Sequence, residues 1–320
     1  MKVQEKEREA MASRSESFAP DGYDYEDAAE NPPELDRFYG SLRNYVKMVT
    51  GGYHRLFMLD AQGGLGKTYN VKQVLKEQLP SDKWTHNKGF TTPVELYKTL
   101  WKAQGNGHVL FLDDMSGIRN KQKAIDMLKA ATESDGEENW VEYRTSQDIE
   151  HPHNAEESLP NTFCFRGSVI MSFNDTPDTP DFEALKDRAV FYNFSLDYDE
   201  RLDLVREAAK LPDFSELTVK EQQEVAEWIA SVTNPAIDVS LRTFEEVCSM
   251  RHFGQMEGQD WEKMAFEVFD LDYERHLIIR LREDADAPVA KQIEYFEQQT
   301  GRSESYYYKL LNKIKSQRMS

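Results

Sequence analysis

Four short apolar runs mark the middle of the chain: Leu56–Leu59, Val109–Leu112, Ser168–Phe173 and Val190–Phe194. Each has the length of a strand, and helical periodicity fills the gaps between them. After the first run, Val71, Val74, Leu75 and Leu79 fall on one helical face. Strands alternating with helices predict a parallel sheet covered on both sides. From Asp197 onward the period is helical throughout. Val225, Trp228, Ile229 and Val232 share one face, and Leu241, Phe244, Val247 and Cys248 share another. Two further short helices follow Pro288. Val289, Ile293 and Phe296 line the first, and Tyr307, Leu310, Leu311 and Ile314 line the second. Gly301 stands as the stop between them and Ser303 as the N-cap of the second.

Composition sharpens this outline. The chain has 320 residues, which predicts about two domains, and its 39% hydrophobic content is enough for a packed core. The formal charge is −19, which disfavours non-specific nucleic-acid binding by the whole surface and leaves room for a local basic patch. No apolar run approaches the ~20 residues that span a bilayer. The opening MKVQEKEREAMASRSE lacks the apolar segment of a secretory signal. Two distant cysteines, Cys164 and Cys248, exclude a disulfide framework and fit a reducing cytoplasm. Residues 1–36 carry eleven acids against four bases and read as an acidic, mostly disordered arm. The expected division is this arm, a core over 37–196, a helical lid over 197–284 and a small helical module over 285–320. No internal repeat is present.

The strongest chemical signal is Ala61-Gln62-Gly63-Gly64-Leu65-Gly66-Lys67-Thr68, set between an apolar strand and an amphipathic helix. That is the context of a phosphate-binding P-loop. Gly63, Gly64 and Gly66, with Leu65, would let backbone N–H groups wrap the phosphates of ATP without Cβ clashes. The helix N-terminus adds partial positive charge. Lys67 would neutralise the β- and γ-phosphates, and Thr68 would ligate Mg²⁺. Ala61 stands where the first glycine is usual, a change that is harmless unless the position needs a positive φ. The second signal is the run Val109–Leu112 ending in Asp113-Asp114, about forty-five residues beyond Lys67. Asp113 would hold Mg²⁺, and Asp114 would orient the attacking water.

With these residues in place, the chain resembles the AAA+ ATPase family over roughly residues 40–255. Ser168–Asp175 resembles the sensor-1 strand. The resemblance implies that Asn174 sits between the two Walker strands and positions the hydrolytic water. Ala184-Leu185-Lys186-Asp187-Arg188, just before the strand Val190–Phe194, resembles the arginine box of clamp loaders. Arg188 would be a finger reaching the γ-phosphate of a neighbouring subunit, with Arg144 and Arg166 as rivals. Ser240-Leu241-Arg242-Thr243-Phe244 resembles the sensor-2 helix, with Arg242 contacting the nucleotide of its own subunit. The implied fold is α/β: a three-layer P-loop core with a helical lid. The implied assembly is a homo-oligomeric ring or filament.

Three further segments have weaker signals. Gly89-Phe90 resembles an aromatic–glycine pore loop, but packing is the simpler role for Phe90. His151 and His153 lie among acids without metal-ligand spacing and read as a solvated loop. The acidic stretch Glu133–Pro160 reads as a long loop inserted between two strands. The C-terminal segment resembles a helix-turn-helix, Ala290–Gln299 followed by a recognition helix Ser303–Ser316. From Ala287 onward six bases face three acids. Arg302, Tyr306, Lys309 and Lys313 would face phosphates or base edges of DNA. The expected function is an ATP-hydrolysing AAA+ protein acting on DNA, in replication initiation, helicase loading or a related transaction, with a helicase as a candidate partner. The alternatives are a superfamily 3-like helicase, an ATP-driven protein remodeller, and a nucleotide-gated assembly protein.

Overall fold

The computed structural model describes residues 33–317, apart from 90–91, 115–120, 134–137, 146–147, 152–153, 177–178, 270 and 284–287. The acidic arm up to Pro32, Phe90 and His153 lie outside the described residues. The chain divides into two units, Met1–Arg37 and Phe38–Ser320. Residues 33–36, counted with the arm in the sequence, open a helix, α1, over Pro33–Thr50.

Five strands form one parallel sheet: β1 (Leu56–Ala61), β2 (Trp84–Lys88), β3 (Val109–Asp113), β8 (Ser168–Phe173) and β9 (Val190–Phe194). Their order is β2-β3-β8-β1-β9. The three central strands are buried along nearly their whole length, which is why they read as continuous apolar runs. Alternation sends Leu56, Met58, Leu110, Leu112, Val169 and Met171 into one core cluster. Phe57 faces the other way, where Tyr45 of α1 stacks on it with ring centroids 5.7 Å apart. Helices α2 (Lys67–Gln78), α3 (Pro93–Lys102), α4 (Gln122–Ala131) and α5 (Pro180–Lys186) complete the connections of the layered core.

Two parts of this core differ from the sequence reading. Strand β2, Trp-Thr-His-Asn-Lys, is polar because it lies at the sheet edge with its side chains only partly covered. The stretch Glu133–Pro160 is not a plain loop. It contributes β4 (Asn139–Glu142), β5 (Glu150–His151) and β6 (Asn154–Ser158). Strand β4 pairs antiparallel with β7 (Thr162–Phe165), and β5 pairs with β6. Strands β4 and β7 alternate over only four residues each, so their period is easily lost among acids. Val141, Ile149, Leu159, Phe163 and Phe165 nevertheless join the main core cluster. His151 packs edge-on against Trp101, with ring centroids 4.7 Å apart.

Four helices stand where the sequence leads one to expect a lid, the name used for them below: α6 (Tyr198–Ala208), α7 (Val219–Val232), α8 (Leu241–Glu257) and α9 (Trp261–Val268). Leu202, Val205, Val225, Ile229, Phe244, Val247 and Cys248 are among its core residues. Its helix starts are well specified. Asp197 with Glu200, and Thr218 with Glu221, form reciprocal capping boxes. Ser240 caps α8 by accepting from the Thr243 N–H at 3.2 Å.

Three helices close the chain: α10 (Tyr273–Glu283), α11 (Val289–Thr300) and α12 (Glu304–Gln317). They share one core of Leu277, Ile278, Ile293, Phe296, Tyr307, Leu311 and Ile314. Helix α10, grouped with the lid on sequence, thus packs into the C-terminal unit, while Tyr273 also meets Phe266 of the lid at 5.2 Å. Gly301 ends α11 in the left-handed region at φ 67°. No described helix is long and apolar enough to cross a membrane.

Candidate nucleotide site

The site grows from the C-terminal ends of β1, β3 and β8. Ala61 is the last residue of β1, paired with Phe194, and takes no left-handed angle, so its Cβ costs the loop nothing. Gly64 (φ 75°) and Gly66 (φ 70°) do take that angle, and Gly66 is the N-cap of α2. The loop is also crowded. A Cβ on Gly66 would lie 2.8 Å from the Tyr39 hydroxyl, and one on Gly64 would lie 2.6 Å from Ser240 Oγ. Tyr39 donates to the Leu65 carbonyl at 3.0 Å, and its burial pushes the phenol well above its ordinary pKa.

Lys67 begins α2 and is buried. Its ammonium donates to the Ala61 carbonyl at 2.8 Å, to the Phe173 carbonyl at 2.9 Å, and to Asn174 Oδ1. Burial lowers its pKa, opposed by the carboxylates of Asp113, Asp114 and Asp60 and assisted by Arg242. The next residue, Thr68, donates to Asp113 Oδ2 at 2.9 Å. Asp113 is 1% exposed. Burial would raise its pKa, but hydrogen bonds from His86, Ser172 and Thr68 outweigh that and hold it below the ordinary value. Ser172 donates to Oδ1, and His86 Nε2 lies 3.4 Å from Oδ2.

Asp114 is the one non-glycine residue with positive φ among the described residues, at 51°. For a non-glycine residue that conformation is costly and turns the side chain off the strand's ordinary course. Its Oδ1 accepts from Asn174 Nδ2 at 3.4 Å. Asn174 therefore bridges Lys67 and Asp114 at the end of β8, the strand that runs between β1 and β3. Across the loop, the lid comes down on the glycines. The Leu241 N–H donates to the Gly64 carbonyl at 3.0 Å. A Cβ on Gly63 would lie 3.9 Å from both Arg242 Nη1 and Asn174 Oδ1. The glycine loop, Asp113 and Asp114, Asn174 and Arg242 thus meet at one end of a sheet in which β8 separates β1 from β3.

The five-stranded parallel sheet with helices around it bears out the expected α/β P-loop core. No family model and no curated protein matches the sequence. Solved structures of AAA+ proteins do align with it at low identity. The RuvB Holliday junction branch migration motor of Thermotoga maritima is 14% identical, with 87% of this chain and 89% of that chain covered and a TM-score of 0.42. Cdc6p from Pyrobaculum aerophilum is 12% identical, with 90% and 88% covered and a TM-score of 0.49. The replication initiator DnaA bound to AMPPCP and single-stranded DNA is 13% identical, with 84% and 74% covered and a TM-score of 0.42.

The candidate finger arginines lie elsewhere. Arg188 precedes β9, and β9 runs parallel to β1 from Val190 beside Phe57 to Phe194 beside Ala61. Arg188 is therefore at the opposite end of the sheet from the P-loop, about 16 Å away along a five-residue strand. Its Nη1 donates to the Ala184 carbonyl at 2.7 Å, and its Nε lies 3.5 Å from Glu133. Arg144 pairs with Glu142, and Arg166 lies 3.6 Å from Glu138.

In the C-terminal unit, Arg302 Nε donates to Glu274 Oε1 at 2.8 Å and the Tyr306 hydroxyl donates to Oε2 at 2.7 Å. Lys309 and Lys313 are exposed on α12. Sequence reasoning missed His86, Ser172 and Tyr39. Ser172 had a usable signal, since alternation along β8 aims it to the side of the sheet opposite Met171. His86 and Tyr39 had none, because β2 is polar and α1 reaches the loop only through tertiary packing.

Proposed function

We propose that this protein is a Mg²⁺-dependent ATPase of the AAA+ type that works as a homo-oligomer on DNA. The observation that carries the reading is the joined network Thr68–Asp113 and Lys67–Asn174–Asp114 beneath the P-loop glycines. Lys67 would leave its carbonyl partners for the β- and γ-phosphates, regaining as an ion-paired ammonium what burial costs it. The Thr68 hydroxyl and the Asp113 carboxylate place hard oxygens side by side, which suits Mg²⁺. Bound there, the ion would supply charge neutralisation for the phosphates. Asp114 and Asn174 would hold the attacking water, Asp114 accepting its hydrogen bond and Asn174 fixing the carboxylate's direction. Arg242 would contact the nucleotide from the lid.

Arg188 stands too far from the P-loop of its own subunit to complete this site, which supports a finger acting in trans and hence an oligomer. The test is ATP turnover by full-length protein. Lys67→Ala should abolish ATP binding, and Arg188→Ala should abolish turnover while sparing binding. Mixing the two inactive proteins should restore part of the activity, because each supplies what the other lacks. No recovery at any mixing ratio would sink the trans arrangement. For the DNA role, the bases on α12 support stimulation of turnover by DNA at low salt, lost when residues 287–320 are removed. The Glu274 contacts of Arg302 and Tyr306 favour a second reading, in which the C-terminal helices pack subunits and the client is a protein. Turnover that single- and double-stranded DNA both leave unchanged would select it.

A further inference from the structure

Arg201 lies in the first turn of α6 and was not singled out by its sequence context. Its side chain is 13% exposed. Nε lies 3.3 Å from the Asp197 carbonyl, Nη1 reaches Gln62 Oε1 at 3.4 Å, and the same Nη1 pairs with Asp238. One guanidinium thus joins three segments: the exit from β9, the P-loop, and the linker that leads into α8. Gln62 stands between Ala61 and Gly63, and Asp238 stands two residues before the cap of α8.

We propose that Arg201 is a positioning residue for nucleotide binding, holding the 238–240 linker so that Arg242, at the start of α8, stands over Gly63. The inference rests on the nucleotide-site reading above. The start of α8 already meets the P-loop glycines, where Leu241 donates to Gly64, Ser240 lies against the same glycine and Arg242 lies near Gly63. Those contacts all lie on the α8 side of the linker. The Gln62–Arg201–Asp238 bridge ties the other end of the linker to the loop, and anchors at both ends fix its direction across the loop. Arginine suits the task because its planar fork serves a backbone carbonyl, an amide oxygen and a carboxylate together, which an ammonium on a flexible stem does not. The ion pair with Asp238 contributes little by itself, since Asp238 is 75% exposed. What the bridge supplies is geometry.

If Arg201 acts through Arg242, their effects must not multiply. The experiment titrates a fluorescent ATP analogue with Mg²⁺ into the full-length protein and its Arg201→Gln, Gln62→Ala, Arg242→Ala and Arg201→Gln/Arg242→Ala variants. Arg201→Gln should weaken binding about tenfold, on the order of one lost charge-assisted contact. Gln62→Ala should give a smaller loss in the same direction, and the double variant should bind no worse than Arg242→Ala. An unchanged Kd for Arg201→Gln, or multiplied losses in the double variant, overturns the proposal. Should Arg201→Gln fail to fold, Gln62→Ala decides, because its side chain is exposed on a loop and an unchanged Kd there is equally fatal. Wild-type protein that binds no ATP removes the nucleotide reading and this inference together. Binding that Lys67→Ala abolishes leaves the reading standing and lets the Arg201 comparison decide alone.

Discussion

The P-loop end of the sheet and the C-terminal three-helix unit handle polar side chains in opposite ways. At the P-loop, Lys67 and Asp113 are buried and tied to Asn174, Ser172, His86 and Thr68, so each polar group is fixed by several partners. In the C-terminal unit, α12 presents Lys309 and Lys313 to solvent, and its remaining candidate contacts, Arg302 and Tyr306, share one carboxylate, Glu274. A buried network is rigid and cannot lose one member cheaply. A solvated face can exchange partners, which suits a surface that binds through charge.

The largest test of this contrast is Lys67→Ala. It removes the group that would meet the phosphates, and ATP binding should fall at least ~100-fold, on the scale of a buried charged contact in a ligand site. Wild-type binding in that variant would mean the buried network is only structural. Next in size is the α12 surface. Lys309→Ala combined with Lys313→Ala should weaken DNA binding at every sequence and lower the salt slope by about 2, roughly one per phosphate contact. Arg302→Ala should change DNA affinity less than this pair, because Glu274 already holds its guanidinium. A greater loss from Arg302→Ala would reverse the ranking and make Glu274 a competitor of phosphate.

Smaller effects belong to the lid. The Thr218 hydroxyl and backbone hold the Glu221 carboxylate down to a pKa of about 2. A depressed carboxylate contributes stability that is present above its ordinary value near ~4 and is lost as pH falls toward its folded value. Glu221→Ala should therefore destabilise the protein at neutral pH by ~1 kcal/mol, the usual size of a lost cap, with the gap to wild type closing in acid. A constant gap from pH 7 to pH 2 would show that the charge contributes nothing. The smallest effect is chemical. Burial pushes the Cys248 thiol up to about 12, while Cys164 is half-buried at the β4–β7 pair. A thiol reagent at neutral pH should label Cys164 first and Cys248 only on unfolding. Equal labelling rates would mean that the lid core opens in the native protein.

The chain's own pattern determined the central strands, the P-loop, the paired acids and the order in which Asn174, Arg188 and Arg242 follow. Those features are local. A buried parallel strand is apolar over nearly its whole length, and a left-handed turn needs glycine at Gly64 and Gly66. Tertiary packing decided the rest. The polar strand β2 finds its place by pairing with β3 at the sheet edge, so His86 arrives beside Asp113 without a sequence signal. Val141 and Phe163 show their alternation only once the short strands β4 and β7 pair beside an acidic insertion. Helix α10 carries an amphipathic face that fits either neighbour, and its packing against α11 and α12 alone brings Glu274 to Arg302 and Tyr306. Gln62, Arg201 and Asp238 are far apart in the chain, and the approach of lid to loop is what makes them one bridge.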